Sequence, residues 1–375
     1  MARKQPLKHR SDQIADHYGF DLINIKETNF SGNPDIVSEE ERVKVLQYYK
    51  KENGDLKKES PAKMFFHNKP VLKDKNLKKK KARMGLDVLG VHCGIAEATA
   101  IKTAMDILKE EGYKDLFIEI NSIGDKDSVK QFEKELITFY RQNSESLKKV
   151  DLKKLTHGKV LDLFTSSKEH LAELNEDAPC TVNYLSDDSA SHLKEVLEYI
   201  EEMKIDYVVK GTLIGEKNYY SKIIFQIKTT DKKTGEEIVL ARGGRYDDVA
   251  ATVAKKRKVS AVGLQMNFDK KQKIKNKPND KVSVYMVKLG FKAKLKSLEV
   301  AEILKKVNVP FKHDIAGEKI SDQLKAAIDN DANYSIIIGQ KEANENKVLI
   351  RDMVKNAQKE VSIDDLEKYL KKISK

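Results

Sequence analysis

Residues 270–281, KKQKIKNKPNDK, divide this chain more firmly than any other stretch. The run holds one apolar residue, Ile274, and a proline, Pro278, so it has almost nothing to bury and cannot continue a helix or an inner strand. It reads as a linker. The 375 residues then split into a segment of 1–269 and a segment of 282–375, each long enough to close its own core.

Beyond the linker the pattern is a compact alternation of strands and helices. VSVYMVKL reads as a strand, and Val300, Ile303, Leu304 and Val307 line one face of a helix. VPFKHDI, ISDQLKAAID, YSIIIG, KVLIRDM and a last helix from about Ile363 complete a small α/β domain.

The first segment is longer and mixed. HRSDQIADHYGF predicts a helix entering the strand DLINI, and Ser38 is placed to cap the helix SEEERVKVLQYY. From about 50 to 83 the chain is strongly basic and weakly periodic, which predicts a loop or hairpin. LDVLGVH reads as a strand. Ile101, Ala104, Met105 and Leu108 fall at i, i+3, i+4 and i+7, giving an amphipathic helix closed by Gly112. LFIEIN and DYVV are further strands, SVKQFEKELITFYRQ and SHLKEVLEYIEEM further helices. YYSKIIFQI and EEIVL read as an antiparallel pair joined by a polar turn. The fold class is α/β (α+β).

Composition limits the function classes. Charged residues make up 35% and hydrophobic residues 39%, so the chain is globular with a wet surface. No apolar run approaches the length needed to span a membrane, and the N-terminus MARKQPLKHR lacks the apolar stretch of a secretory signal. Two cysteines, Cys93 and Cys180, fit a reducing compartment, so the expected location is cytoplasmic. His92 beside Cys93 is the nearest approach to metal-ligand spacing, and neighbours on a strand point to opposite faces, so no metal is expected. A net charge of +12 and a pI near 9.2 fit a polyanionic partner, although a lysine-rich surface produces the same figure without one.

Three places can carry chemistry. Lys78, Lys79, Lys80 and Lys81 would meet phosphates but read no sequence, and a solvated lysine face is the plain alternative. Tyr219 and Tyr220, if on a strand, face opposite ways, so one could line a cavity. The third is ARGGRYDDVA, residues 241–250, which a tight turn, a phosphate cradle or a pocket loop would each explain. Gly243 and Gly244 permit close backbone approach, Arg245 offers a bidentate fork, and Asp247 can accept from an amine.

The same stretch, as EIVLARGGRYDDVA, resembles the Gly-Gly-Arg-Tyr-Asp signature of histidyl-tRNA synthetases. VLGVHCGIAEATAIKTAMDIL, FIEINSIGD, APCTVNYL and SHLKEVLEYIEEMKIDYVV are similar to successive parts of that family in the same order. The C-terminal SDQLKAAIDNDANYSIIIGQKEANENKVLIRDM looks closely like its anticodon-binding domain. The resemblance implies a class II synthetase-like antiparallel sheet core with flanking helices over residues 1–269. A small α/β anticodon-binding domain over 282–375 follows, and the assembly is usually a homodimer. It implies that tRNA or another structured RNA is the partner, and that ATP and Mg2+ are used if adenylation survives. It also implies that Tyr219, Tyr220, Gly243, Gly244, Arg245, Tyr246 and Asp247 surround histidine, with Glu59 of LKKESP holding its amine.

The departures run in one direction. Where the family strand opens with Arg-Gly-Leu-Asp-Tyr-Tyr, this chain has GEKNYY, so Gly215 stands for the arginine that meets the α-phosphate and Glu216 adds a negative charge beside it. The family's Gly-Leu-Glu-Arg becomes NFDK, with Asn267 for the glycine and Lys270 for the arginine. In FFHNKPVLKDK, Lys69 is the best stand-in for the arginine of Phe-Arg-x-Glu, with Val71 for its glutamate. Lys26 sits near KETNF where a proline is expected. Lysine keeps charge but loses the planar fork. Three readings follow: a family member that binds tRNA with its adenylation site impaired, a divergent working histidine–tRNA ligase, and a histidine-sensing regulatory paralogue.

Overall fold

Eight strands form the first sheet of the computed structural model, which describes residues 7, 9–25, 39–53, 62–69, 81–166, 168–215, 219–254, 259–269 and 282–374. They are β1 (Asp21–Leu22), β2 (Lys63–Lys69), β3 (Lys81–Leu89), β4 (Phe117–Gly124), β5 (Tyr207–Val209), β6 (Ser221–Thr230), β7 (Glu237–Arg245) and β8 (Ala261–Asp269). The order across the sheet is β1-β2-β3-β8-β7-β6-β4-β5. Every inner junction is antiparallel, and only the edge pairs β1–β2 and β4–β5 are parallel.

Alternation along the inner strands sorts residues to two faces. Met84, Leu86 and Val88 of β3, with Val262, Leu264, Met266 and Phe268 of β8, join one apolar core. Helices α1 (Arg10–His17), α3 (Ile95–Glu110) and α8 (Asp187–Glu202) cover that face. Asp87 falls at the alternate positions of β3 and pairs with Gly263 across the strands. That reverse face is covered by α2 (Glu39–Asn53) and α9 (Asp247–Val253), whose Val45, Leu46, Tyr49, Val249 and Ala250 pack with Phe65, Tyr219 and Tyr246. Between β4 and α8 the chain builds a helical module: α4 (Lys126–Gln142), α5 (Lys149–Thr156), α6 (Leu161–Phe164) and α7 (Glu169–Glu176). Phe132, Leu136, Tyr140, Leu163 and Phe164 form its separate core.

The second sheet has five strands, β9 (Val284–Lys288), β10 (Phe311–His313), β11 (Tyr334–Ile338), β12 (Lys347–Asp352) and β13 (Gln358–Ser362), in the order β10-β9-β11-β12-β13. Helices α10 (Phe291–Lys306), α11 (Ile320–Asp329), α12 (Gln340–Asn344) and α13 (Ile363–Ile373) flank it. α10 docks against α3 and α1 of the first segment. Lys102 bridges Asp106 at 2.8 Å and Glu302 at 2.9 Å, Lys305 also reaches Asp106, and the Tyr18 hydroxyl donates to Asp106 at 2.5 Å. The junction also holds a cavity of about 900 Å³ lined by residues such as Arg10, Phe20, Tyr285 and Lys312.

Several expectations change here. The apolar core is continuous across both segments, because α10 brings Leu298, Val300 and Ala301 into the same cluster as α3. DLINI pairs only at Asp21–Leu22. β3 ends at Leu89, so His92 and Cys93 lie in the turn before α3. The short helices α5–α7 and the mostly exposed strand QKEVS left no periodic signal to read. Ser38 and its proposed cap lie outside the described residues. Among the described residues no helix is long and apolar enough to cross a membrane, and no group of three His, Cys, Asp or Glu side chains could hold a metal ion.

Candidate functional site

The GGRYD stretch is a strand running into a helix. Gly243, Gly244 and Arg245 finish β7, and Asp247 opens α9. Its glycines face the protein's own atoms. A Cβ at Gly243 would lie 2.5 Å from the Leu264 Cβ, and one at Gly244 2.4 Å from the Ile223 carbonyl. The close approach that sequence reasoning reserved for a ligand is taken up, at these two positions, by neighbouring strands and by Tyr220.

Arg245 turns inward. Its Nε and Nη2 donate to the two oxygens of Glu97 at 2.8 and 2.9 Å, and Nη1 donates to the Val91 carbonyl at 3.2 Å. His192 of α8 lies 2.9 Å from the same carboxylate. Burial opposes the charge on Glu97, yet Arg245 and His192 hold its carboxyl at about 2. The fork predicted for a substrate is thus engaged within the protein. Asp247 accepts the Ala261 amide at 2.7 Å, and burial raises its carboxyl above the ordinary range.

Tyr246 points to the other buried carboxylate. Its hydroxyl donates to Asp87 Oδ1 at 2.8 Å, and Nη1 of Arg42, from α2, donates to the same oxygen. The Arg42 guanidinium lies over the Tyr246 ring, 5.6 Å from its centre. Tyr219 stacks on Tyr246 at 6.4 Å with 19° between the planes. His67 of β2 comes within 3.6 Å of Asp87 Oδ2. Burial works against the Arg42 charge, but Asp87 more than offsets it and holds the group firmly protonated.

Sequence reasoning placed Tyr219 and Tyr220 on a strand facing opposite ways. Both precede β6, and their rings meet edge to face at 4.7 Å, because the irregular backbone there is free of strand alternation. Gly215 sits under that pair: a Cβ there would lie 2.2 Å from the Tyr220 ring. Glu59, Glu216, Lys270, Lys78, Lys79 and Lys80 lie outside the described residues. Lys69 ends β2, and Lys81 begins β3 opposite Asp269. Arg42, His67, Asp87 and Glu97 were missed. A carboxylate inside the apolar strand GLDVLG and another inside the apolar helix IAEATAI were the available signals.

An antiparallel sheet flanked by helices, followed by a small five-stranded α/β unit, agrees with the class II synthetase-like layout that the resemblance implies. A family model described as histidyl-tRNA synthetase matches residues 56–270, and one described as anticodon binding domain matches residues 281–373. The chain belongs to the histidyl-tRNA synthetase family. It is 27% identical over 297 residues to the histidine–tRNA ligase of Halothermothrix orenii, covering 78% of this chain and 70% of that protein. Against the ligase of Vesicomyosocius okutanii the figures are 26% over 318 residues, 82% and 73%. The fold is similar to the crystal structure of apo S. aureus histidyl-tRNA synthetase, with a TM-score of 0.52 at 19% identity over 96% of this chain and 93% of that one.

Proposed function

We propose that this protein binds tRNA through its anticodon-binding domain and basic surface, and that its adenylation site is impaired. The observation that carries the second half is Gly215. Adenylation builds negative charge on the α-phosphate, and fixed cations aimed there supply much of the rate. At the position assigned to the family's phosphate arginine, the Tyr220 ring leaves no room for a Cβ, and the Ile224 side chain lies 2.9 Å from the same point. A guanidinium could not be mounted there without moving the tyrosine. β2, KMFFHNK, also contains no arginine for the Phe-Arg-x-Glu role. Removing one such group typically costs on the order of 10²–10³ in rate, so the combined departures support loss of ligase turnover.

The tRNA half of the proposal rests on the family model over residues 281–373 and on the net charge of +12. The run Lys78–Lys81 adds to that charge. Binding of tRNA measured by filter retention or anisotropy tests this half. Micromolar or tighter binding that weakens steeply with salt is expected, and no binding at low salt would overturn it. The homodimer implied by the resemblance and the cytoplasmic location read from Cys93 and Cys180 belong to the same proposal, and sedimentation of the purified chain tests the former.

A further inference from the structure

We propose that the cavity of about 900 Å³ between the two segments binds a free nucleoside monophosphate, its base against Phe20, Tyr285 and Phe311 and its phosphate at Lys63 and Lys312. The inference is independent of the adenylation site: neither the Glu97–Arg245 pair nor the Arg42–Asp87 cluster lines this cavity.

Both segments build the walls. α1, β1 and the turn between them supply Asp16, Phe20 and Asp21, while β9 and β10 supply Tyr285, Phe311 and Lys312. Pockets for small molecules run to roughly 300–1,000 Å³, so a nucleotide has ample room. Burial sorts these residues into a floor and a rim. Phe20 is 1%, Tyr285 4% and Phe311 6% exposed, whereas Asp21, Lys63 and Lys312 stand in solvent. An aromatic floor favours a flat ring and gives a bare inorganic anion nothing to contact.

The charges narrow the class of ligand. Burial holds His17 and His313 below their ordinary range, so both imidazoles in the wall are neutral at pH 7. Arg10 is tied to Glu110 at 3.3 Å, and Lys305 to Asp106. Lys312 donates to Asn330 Oδ1 at 2.8 Å, a neutral partner that does not cancel its charge, and Lys63 is exposed at the start of β2. These two ammonium groups suit a phosphate. Asp16 and Asp21 add acceptors to the same wall, so the occupant must also carry N–H donors. A phenyl carboxylate has none. A nucleobase with an exocyclic amine, joined to a phosphate, brings the ring, the donors and the anion together.

Calorimetry with AMP, GMP and CMP, each added alone to the purified full chain, should show one site for at least one of them, and that nucleotide should raise the thermal midpoint. Ribose 5-phosphate and inorganic phosphate lack the ring and should bind at least about tenfold more weakly. Lys63→Glu/Lys312→Glu changes only exposed side chains and should weaken the nucleotide by about tenfold or more. Phe311→Leu keeps an apolar side chain but removes the ring, and should weaken it as well. If Phe311→Leu does not fold, the lysine variant decides. Binding that the variants leave unchanged lies elsewhere on the chain and overturns the proposal. So does ribose 5-phosphate binding as tightly as the nucleotide, or the absence of binding by all three nucleotides. If free nucleotides do not bind while the lysine variant lowers tRNA affinity, the cavity serves RNA and the proposal falls.

Discussion

Glu97 and Arg245 illustrate how a full charge is carried in a synthetase core. Neither is exposed by more than 1%, and the two pair through both carboxylate oxygens while His192 and the Val91 carbonyl complete their partners. Removing one partner leaves the other's charge buried, so Glu97→Gln should cost about 3 kcal/mol or more in urea unfolding at pH 7. The pH dependence follows from the direction of the shift. The native carboxyl is held at about 2 against an ordinary value of 4.5, so the unfolded chain binds the proton first on acidification. The stabilisation is complete above pH 4.5 and drains away as pH falls towards 2. Glu97→Gln should flatten the wild-type acid limb over that window. An unchanged limb in the variant would show that Glu97 does not set it.

The passage from β7 into α9 shows what the elements gain from the glycines. With Leu264 on one side and the Gly263 carbonyl 2.7 Å away, Gly243→Ala should destabilise by roughly 1–3 kcal/mol through overpacking, and Gly244→Ala by a similar amount. Calorimetric melting of the two variants checks this; wild-type midpoints would mean that the strands move apart readily. Neutralising Lys78, Lys79, Lys80 and Lys81 should weaken tRNA binding at low salt. It should reduce the slope of log affinity against log salt by roughly 0.7–0.9 for each phosphate left without its lysine. An unchanged slope would return the run to ordinary solvated surface.

Much of this architecture was readable in the residues. The helix 101–108 pattern, the β6–β7 pair and the strands after the linker declare themselves through their apolar residues, although α3, expected to be amphipathic, is buried all round from Ile95 to Leu108 and β9 is buried at every residue. The site was readable mainly as a motif. That Arg245 would be spent on Glu97, 148 positions away, is a tertiary fact with no local signal. The same holds for Arg42 on Asp87, and for the Tyr220 ring lying over Gly215.

At the scale of the whole molecule, the two sheets are joined by buried polar groups as well as apolar ones. His17 contacts the Ala301 carbonyl at 3.0 Å, and His313 contacts the Tyr18 carbonyl at 3.3 Å while Lys288 lies 2.8 Å from its other nitrogen. Burial lowers His17 to about 4 and Lys288 to about 7, and lowers His313 as well. For the histidines the separated state binds protons first, so docking is fully stabilised above pH 6.5 and loses support as pH falls towards 4. Limited proteolysis within 270–281 should therefore accelerate between pH 7 and pH 5 in wild type and less so in His17→Phe. Equal acceleration in both would remove His17 from the account.

The central claim is that the family fold has been kept while amino-acid activation has been lost. Histidine-dependent exchange of pyrophosphate into ATP, measured on the purified full chain at a concentration where tRNA binding is verified, tests it most directly. The account predicts tRNA binding with exchange no greater than in the absence of histidine. Robust histidine-dependent exchange would contradict it and make this chain a working ligase with an altered phosphate site.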